Sequence, residues 1–340
     1  MSLRIPLRSS RHARSSPSSG AGAAAVVAPP LALSDAPPPA GGAASSPDCR
    51  TPTSGLTQPD RALSRRVAII GKKIRSQPVV NRASFDRLRE PAGNCPPDTA
   101  LLVLVTSAAD QLGASPGGAR HVGWLRPPAR PRGVSSGRPV NQDDTELLRT
   151  EADRHGDILQ ENFRDSYHNL TLKTMMGLRW AEERCPQAKF VVKTDDDIYW
   201  NLPLLMSHLD SLNENRFITG CIKQLSAPAA LSADGRPAPP GHPQFAAGAG
   251  YVVSGDLVAD LYQAALRVPL LPVEDVFITG YCAKMAQAWP PKHHTGFSCG
   301  DILSDDCDLV QLFNAHKITP ARQYLIWEKF STEPNPCMDF

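Results

Sequence analysis

The chain has 340 residues, enough for one large domain or two ordinary ones with a substantial buried core. Its 36 lysine and arginine residues nearly balance its 34 aspartate and glutamate residues, and this balance argues against the strongly basic surface of a nucleic-acid-binding protein. The eight cysteines are too widely spaced for a zinc knuckle. Disulfides and buried thiols both remain open, with Cys282 and Cys307 as one possible pair.

The first 84 residues are predicted to form a disordered, low-complexity segment. They contain no aromatic residue, and up to residue 64 they consist largely of Ser, Ala, Pro, Gly and Arg. Such a composition cannot bury enough apolar surface to offset the conformational entropy lost on folding. The most apolar stretch, Ala21 to Leu33, contains Pro29 and Pro30 and is shorter than the roughly 20 residues that span a bilayer. No transmembrane anchor is therefore expected in this segment.

From residue 85 the patterns of strand and helix alternate, which predicts a single α/β domain over 85–335. The apolar run from Ala100 to Val105 predicts a strand that is buried on both faces. Apolar side chains at helical spacing predict helices starting near Tyr167 and covering Asn201 to Leu212. Further strands are predicted at 190–192, 217–222, 250–253 and 309–313, and further helices at 257–266 and 320–330.

Two stretches, 111–141 and 226–241, interrupt this alternation. Both are rich in Gly, Pro, Ala or Arg, and neither predicts a helix or a strand. Because both begin abruptly between regular segments, one hypothesis is that they are translated from a wrong reading frame or a mispredicted exon.

Three consecutive carboxylates, Asp195, Asp196 and Asp197, directly follow a predicted strand. Side chains on extended backbone point alternately, so Asp195 and Asp197 can face one ligand while Asp196 faces elsewhere. Ligands of α/β proteins bind just outside the carboxyl ends of strands, and such closely spaced charges need a compensating cation or hydrogen-bond donors. The prediction is a Mg²⁺ or Mn²⁺ site that holds a diphosphate. The alternative is a solvated acidic turn that caps the next helix.

Five other residues are candidates for the same site. Glu274 and Asp275 open a predicted helix, where they either complement the helix dipole or supply a general base. His316 is either a hydrogen-bonded structural group or a metal ligand. Gly248 and Gly250 either let the backbone approach a ligand or shape a turn.

Taken in chain order, these pieces resemble the β-1,3-glycosyltransferases of glycosyltransferase family 31. The matching text is GDILQENFRDSYHNLTLKT from Gly156, CPQAKFVVKTDDDIYWN from Cys185, GAGYVVS from Gly248, EDVFITGYCAK from Glu274 and HKITPARQYLIW from His316. Several motifs in the right order are a far more specific signal than any one of them.

The resemblance implies a GT-A type, Rossmann-like domain that binds a UDP-sugar with Mn²⁺ as cofactor. The expected metal ligands are Asp197, Asp195 and His316, the expected nucleotide contacts are Asp195, Asp196, Gly248 and Gly250, and the expected base is Glu274 or Asp275. A Mg²⁺ phosphatase or nuclease would leave the Glu274 pair and the His316 segment without a role.

The implied function is inverting β-1,3 transfer of galactose or N-acetylglucosamine to a glycan acceptor on a glycoprotein or glycolipid. The implied location is the lumenal side of the Golgi membrane, and no nucleic-acid partner is expected. Members of the family usually carry an Arg-x-x-Ile-Arg-x-Thr-Trp helix and a second strand after the first strand, and residues 111–141 show neither. The alternative function is therefore that of a catalytically impaired relative that binds glycans or acts as a scaffold.

Overall fold

The fold is described from a computed structural model, over residues 58–81, 85–91, 93–108, 132–139, 142–224, 241–301 and 306–332. The predictions for residues 1–57, including the one on a transmembrane anchor, and for residues 226–240 lie outside these ranges. Within the described residues, no helix combines the length and apolarity needed to cross a membrane.

Eleven strands are described. They are β1 Arg87–Arg89, β2 Leu101–Thr106, β3 Arg132–Arg138, β4 Ile158–Arg164, β5 Phe190–Asp195, β6 Tyr199–Trp200, β7 Ile218–Lys223, β8 Phe245–Ser254, β9 Lys292–His293, β10 Phe297–Asp301 and β11 Asn314–His316. Eight of them form a mixed sheet in the order β1-β4-β3-β2-β5-β8-β7-β9, and the other three form a small sheet in the order β10-β11-β6. Strands β4, β3, β2 and β5 run parallel to one another, whereas β8 is antiparallel to both of its neighbours.

Helices lie on both faces of the large sheet. They are α1 Gln58–Arg75, α2 Gln142–His155, α3 Leu170–Arg184, α4 Leu202–Ser211, α5 Gly255–Ala265, α6 Ala283–Met285 and α7 Pro320–Thr332. A π-helical segment, Val276–Cys282, leads into α6, and single 3₁₀ turns occupy Tyr167–Asn169 and Asp306–Val310. The predicted α/β class is confirmed by this layered arrangement.

Strand β2 shows why the core has two halves. Leu102 and Leu104 pack with α3 and α5 on one face, while Leu101, Val103 and Val105 pack with α4 on the other. Since side chains alternate along a strand, a continuous apolar run fits a strand covered on both faces. The prediction of a fully buried strand here is confirmed.

The prediction that residues 111–141 contain no regular element is wrong for β3. This strand pairs in parallel with β2, Val134 lying opposite Val105, and with β4, Val134 lying opposite Ile158. Its sequence, RGVSSGR, has a single apolar residue, so no apolar pattern reveals it. Its place between two strands instead supplies backbone hydrogen bonds on both edges.

Helix α1 lies in the segment predicted to be disordered up to residue 84. Ile70 and Ile74, four residues apart, are buried in the core shared with α5. Burying an isoleucine side chain stabilises the fold by about 1.5–3 kcal/mol. The prediction of disorder therefore fails for Gln58–Arg75, because a composition average over 84 residues hides one short amphipathic stretch.

The last predicted strand is misplaced by a few residues. Only the first two residues of the apolar run at 309–313 belong to the 3₁₀ turn, which ends at Val310, and the strand itself is β11, Asn314–His316. Leu309 is fully buried in a small cluster with Tyr199 and Ile326, so its apolar character reflects packing rather than strand pairing.

Two disulfides are described, Cys95–Cys185 and Cys221–Cys299. Cys282 is a free, buried thiol, so the pairing with Cys307 considered above is wrong. His293 lies close to Cys221 and Cys299, but sulfur atoms joined in a disulfide are not available as thiolate ligands of a metal.

Candidate active site

A cavity of about 1100 Å³ opens at the carboxyl ends of β2 and β5. Thr106 and Asp195 lie opposite each other in register, so the two parallel strands end at the same edge of the sheet. This is the position at which α/β sheets bind ligands. The sequence-predicted residues that line the cavity are Asp195, Asp196, Asp197, Gly248, Glu274, Asp275 and His316.

The first two carboxylates of the acidic turn are held by different partners. Asp195 accepts hydrogen bonds from the ammonium of Lys193, at 2.7 Å, and from the hydroxyl of Thr106. Asp196 accepts one from the Ser107 hydroxyl at 2.6 Å. Burial raises the pKa of Asp196, and the Ser107 hydrogen bond opposes that rise.

The third carboxylate faces His316. Asp197 Oδ2 lies 3.6 Å from His316 Nε2, and both side chains are partly exposed. The small sheet brings them together, because β11 pairs antiparallel with β6 and Ala315 lies opposite Tyr199. The Ile318 N–H then donates to the Asp197 carbonyl at 2.9 Å, which fixes the turn against the segment that follows β11.

The donor set fits a hard divalent cation. Burial raises the pKa of Asp197, His316 lowers it, and the nearby Asp195 charge raises it again. Repulsion among the three acidic side chains is thus only partly offset by the described residues. Carboxylate oxygens from Asp195 and Asp197 and one imidazole nitrogen from His316 are ligands that Mn²⁺ accepts.

Glu274 and Asp275 are neighbours in different surroundings. Glu274 is only 5% exposed; Tyr251 donates to its Oε1 at 2.7 Å, and Lys193 Nζ lies 3.5 Å from its Oε2. Burial raises the pKa of Glu274, and Lys193 opposes that rise. Asp275 is half-buried and accepts hydrogen bonds from the backbone N–H groups of Gly248 and Val276. Of the pair, Asp275 is therefore the more accessible to a ligand in the cavity.

The two glycines have separate surroundings. The Gly248 N–H donates to Asp275 Oδ2 at 2.9 Å, so it holds a cavity carboxylate in place. A Cβ on Gly250 would lie 2.4 Å from the Trp200 ring and 2.7 Å from the Asn314 amide. The absence of a side chain at Gly250 thus accommodates the close packing of Trp200.

Two buried lysines that the sequence analysis did not single out also line the cavity. Lys193 contacts both acidic motifs, and Lys173 Nζ lies 2.6 Å from Asp165 Oδ1 and 2.7 Å from the Ser107 carbonyl oxygen. A signal for Lys193 was present, because residues 193 and 195 of one strand point to the same side. Lys173 lies on α3 among buried residues, and no sequence pattern separates it from a solvated lysine.

Part of the chain that lines the cavity matches a model of a known protein family. Residues 137–293 match the family model described as Galactosyltransferase. The chain is 35% identical over 195 residues to β-1,3-galactosyltransferase 5 of Pan paniscus, covering 54% of this chain and 64% of that relative.

Two relatives from Mus musculus show a similar relationship. Identity to N-acetyllactosaminide β-1,3-N-acetylglucosaminyltransferase 2 is 32% over 207 residues, or 57% of this chain and 52% of that protein. Identity to β-1,3-galactosyltransferase 1 is 31% over 201 residues, or 55% of this chain and 60% of that protein. The chain thus spans between about half and two thirds of the length of these relatives. The resemblance to glycosyltransferase family 31 that the motifs predicted is confirmed by the Galactosyltransferase match of residues 137–293 and by these relatives.

Proposed function

We propose that the chain is a hexosyltransferase that moves galactose or N-acetylglucosamine from a UDP-sugar to the 3-hydroxyl of an acceptor glycan, with inversion at the anomeric carbon. The observation that carries the proposal is the cavity at the carboxyl edge of the sheet, where the acidic turn, His316 and the Glu274–Asp275 pair meet. The family match of residues 137–293 supports glycosyl transfer in general. The donor, acceptor, linkage and stereochemistry belong to the proposal.

The acidic turn is the proposed site for the donor's diphosphate. Asp195, Asp197 and His316 would hold Mn²⁺ there, and the metal would supply Lewis-acid stabilisation of the negative charge on the UDP leaving group. Lys193 and Thr106 keep the Asp195 carboxylate in one orientation. Both hydrogen bonds go to Asp195 Oδ1, so the carboxylate is oriented before the ligand arrives, which lowers the cost of ordering the site.

Asp275 is the proposed general base. Its carboxylate is half-buried in the cavity wall and is oriented by two backbone N–H groups, whereas Glu274 is buried and its carboxylate faces the Lys193 ammonium. Asp275 would accept the proton of the acceptor hydroxyl as that oxygen bonds to the anomeric carbon and the bond to UDP breaks. Holding acceptor and donor in one cavity supplies further rate enhancement by orientation.

The described structure removes one of the grounds for the catalytically impaired alternative. It depended in part on a missing second strand after β2, and β3 occupies that place in the sheet. We place the activity in the lumen of the Golgi as part of the same proposal, in line with the two disulfides, which persist in oxidising compartments.

A donor screen tests the proposal. UDP release is measured for UDP-galactose, UDP-N-acetylglucosamine and UDP-glucose, each with and without Mn²⁺ and with acceptors that end in galactose or N-acetylglucosamine. One of the first two donors is expected to give Mn²⁺- and acceptor-dependent release, lost in Asp197→Ala and retained in Asp153→Ala, an exposed acidic residue on α2. Release that is unchanged in Asp197→Ala would refute the proposed site.

A further inference from the structure

A single buried ammonium group joins the two acidic motifs. Lys193 Nζ donates to Asp195 Oδ1 at 2.7 Å and to the Gly248 carbonyl at 2.8 Å, and it lies 3.5 Å from Glu274 Oε2. Lys193 is only 3% exposed. One side chain from β5 therefore contacts β8 and the residue pair that opens the π-helical segment.

The geometry leaves this lysine no freedom to bind a ligand directly. An ammonium group has three donors, and three different acceptors surround this one. A buried charge is retained at low cost only when such partners compensate it. Lys193 thus acts on a ligand only through the groups it contacts.

Each of those groups leads to the cavity. Asp195 is a proposed metal ligand, and Gly248 donates its own N–H to Asp275, the proposed base. Glu274 directly precedes Asp275 and is fixed on its other oxygen by Tyr251. Without the Lys193 ammonium, the contacts that connect the acidic turn with the segment carrying the proposed base would be lost.

We infer that Lys193 is a positioning residue that sets the separation between the metal-binding carboxylates and the general base. Glu274 is then the buried counter-ion of Lys193. This inference rests on the proposed function, because the metal ligands and the base are assigned there.

The test uses a charge-balanced double variant. Lys193→Met alone would leave Glu274 buried without a cation and is expected to lower the melting temperature strongly. Lys193→Met/Glu274→Gln removes both charges and preserves a partner for Tyr251. Arg216→Met is the matched control, since it breaks another buried ion pair, Arg216–Asp260 at 3.0 Å, whose residues do not line the cavity.

Calorimetry of UDP binding in the presence of Mn²⁺ gives the readout, beside melting temperature and kcat. The double variant is expected to melt cooperatively and to bind UDP with a dissociation constant raised about tenfold or more, the usual cost of removing an outer partner of a metal ligand. Arg216→Met is expected to melt lower and to bind UDP as the wild type does. If the double variant does not fold, Lys193→Arg, which keeps the charge but shifts the donors, is expected to show the same weakened binding.

The outcomes separate the two claims. Wild-type affinity in the folded double variant, or in Lys193→Arg where that replaces it, would show that Lys193 has only a structural role and overturn the inference alone. A wild-type protein that gives no Mn²⁺-dependent heat with UDP would overturn the proposed function, and the inference with it.

Discussion

Glu274 and Asp275 are adjacent in the chain, but the fold places them in different surroundings. Their order in the sequence offers no basis for a choice between them. The choice comes from tertiary contacts: Lys193 and Tyr251 surround Glu274, and backbone donors orient Asp275 in the cavity wall. Glu274 is buried and cannot accept a substrate proton without losing its ion pair with the Lys193 ammonium, whereas Asp275 is half-buried and is held by backbone N–H groups.

Substitution at these two positions should therefore have unequal effects. Asp275→Asn is expected to lower kcat by about 10²–10⁴, the usual contribution of a general base, with little change in melting temperature. Glu274→Gln is expected to lower the melting temperature, because it leaves Lys193 short of a partner, and to reduce kcat less. Steady-state kinetics and thermal melts of both variants check this. A larger loss of kcat in folded Glu274→Gln than in Asp275→Asn would reverse the assignment.

Glu161, on β4, is expected to make the free energy of unfolding depend on pH. Burial raises its pKa to about 7, although Arg179 and Arg87 oppose the rise. The unfolded chain has the lower value of 4.5, so between these two pH values the folded state binds the proton more tightly. The stability that this group contributes is present below about pH 4.5 and is lost as pH rises through about 7.

The free energy of unfolding of Glu161→Gln, minus that of the wild type, should therefore be larger at pH 8 than at pH 5. Urea unfolding of both proteins at the two pH values measures the difference, and contributions from other titrating groups cancel in it. If this difference in free energy is the same at pH 5 and pH 8, the raised pKa of Glu161 is contradicted. Arg87 and Arg179 keep an ion pair with Glu183 in the variant.

At the level of elements, α1 extends the folded part of the chain toward its N-terminus. Its buried side uses Ile70 and Ile74, while the neighbouring Ile69 is 68% exposed. The surrounding sequence is basic and has no aromatic residue. An average over such a segment predicts disorder, although i and i+4 apolar residues suffice to attach a helix to an existing core.

The helix offers a matched pair of substitutions. Ile74→Ala is expected to reduce the free energy of unfolding by about 2–5 kcal/mol, because it leaves a cavity in the core. Ile69→Ala removes the same atoms from the surface and is expected to stay within about 0.5 kcal/mol of the wild type. Chemical denaturation of both variants checks the prediction. Equal effects would show that α1 does not pack as described.

Strands differ in how far the sequence predicts them. Strands β2 and β5 were predictable because each contains consecutive apolar residues, whereas a strand with one exposed face needs an apolar residue only at every second position. Strand β3 was not, since its stability comes from hydrogen bonds to β2 and β4 rather than from its own side chains. The amino-acid sequence of β3 alone therefore gives no sign of the stabilisation that the neighbouring strands supply.

In the whole molecule, the candidate site gathers residues that are far apart in the sequence. The pairing of β6 with β11 brings Asp197 and His316 together. A hydrogen bond from the Gly248 N–H of β8 holds Asp275 at the cavity. The motifs named seven residues that line the cavity, while Gly250 does not line it. Their mutual geometry, including the position of Lys193, required the fold, because register between distant strands is not encoded in any single motif.

In the proposed function, the acidic turn and His316 hold a divalent ion on which the diphosphate of a UDP-sugar docks. Crystals grown with Mn²⁺ and UDP, measured at the manganese absorption edge, test it most directly. We expect one anomalous peak within about 2.0–2.4 Å of Asp197 and His316 side-chain atoms and in contact with the UDP phosphates. Bound UDP with no anomalous peak at this position, or a peak elsewhere, would contradict the claim.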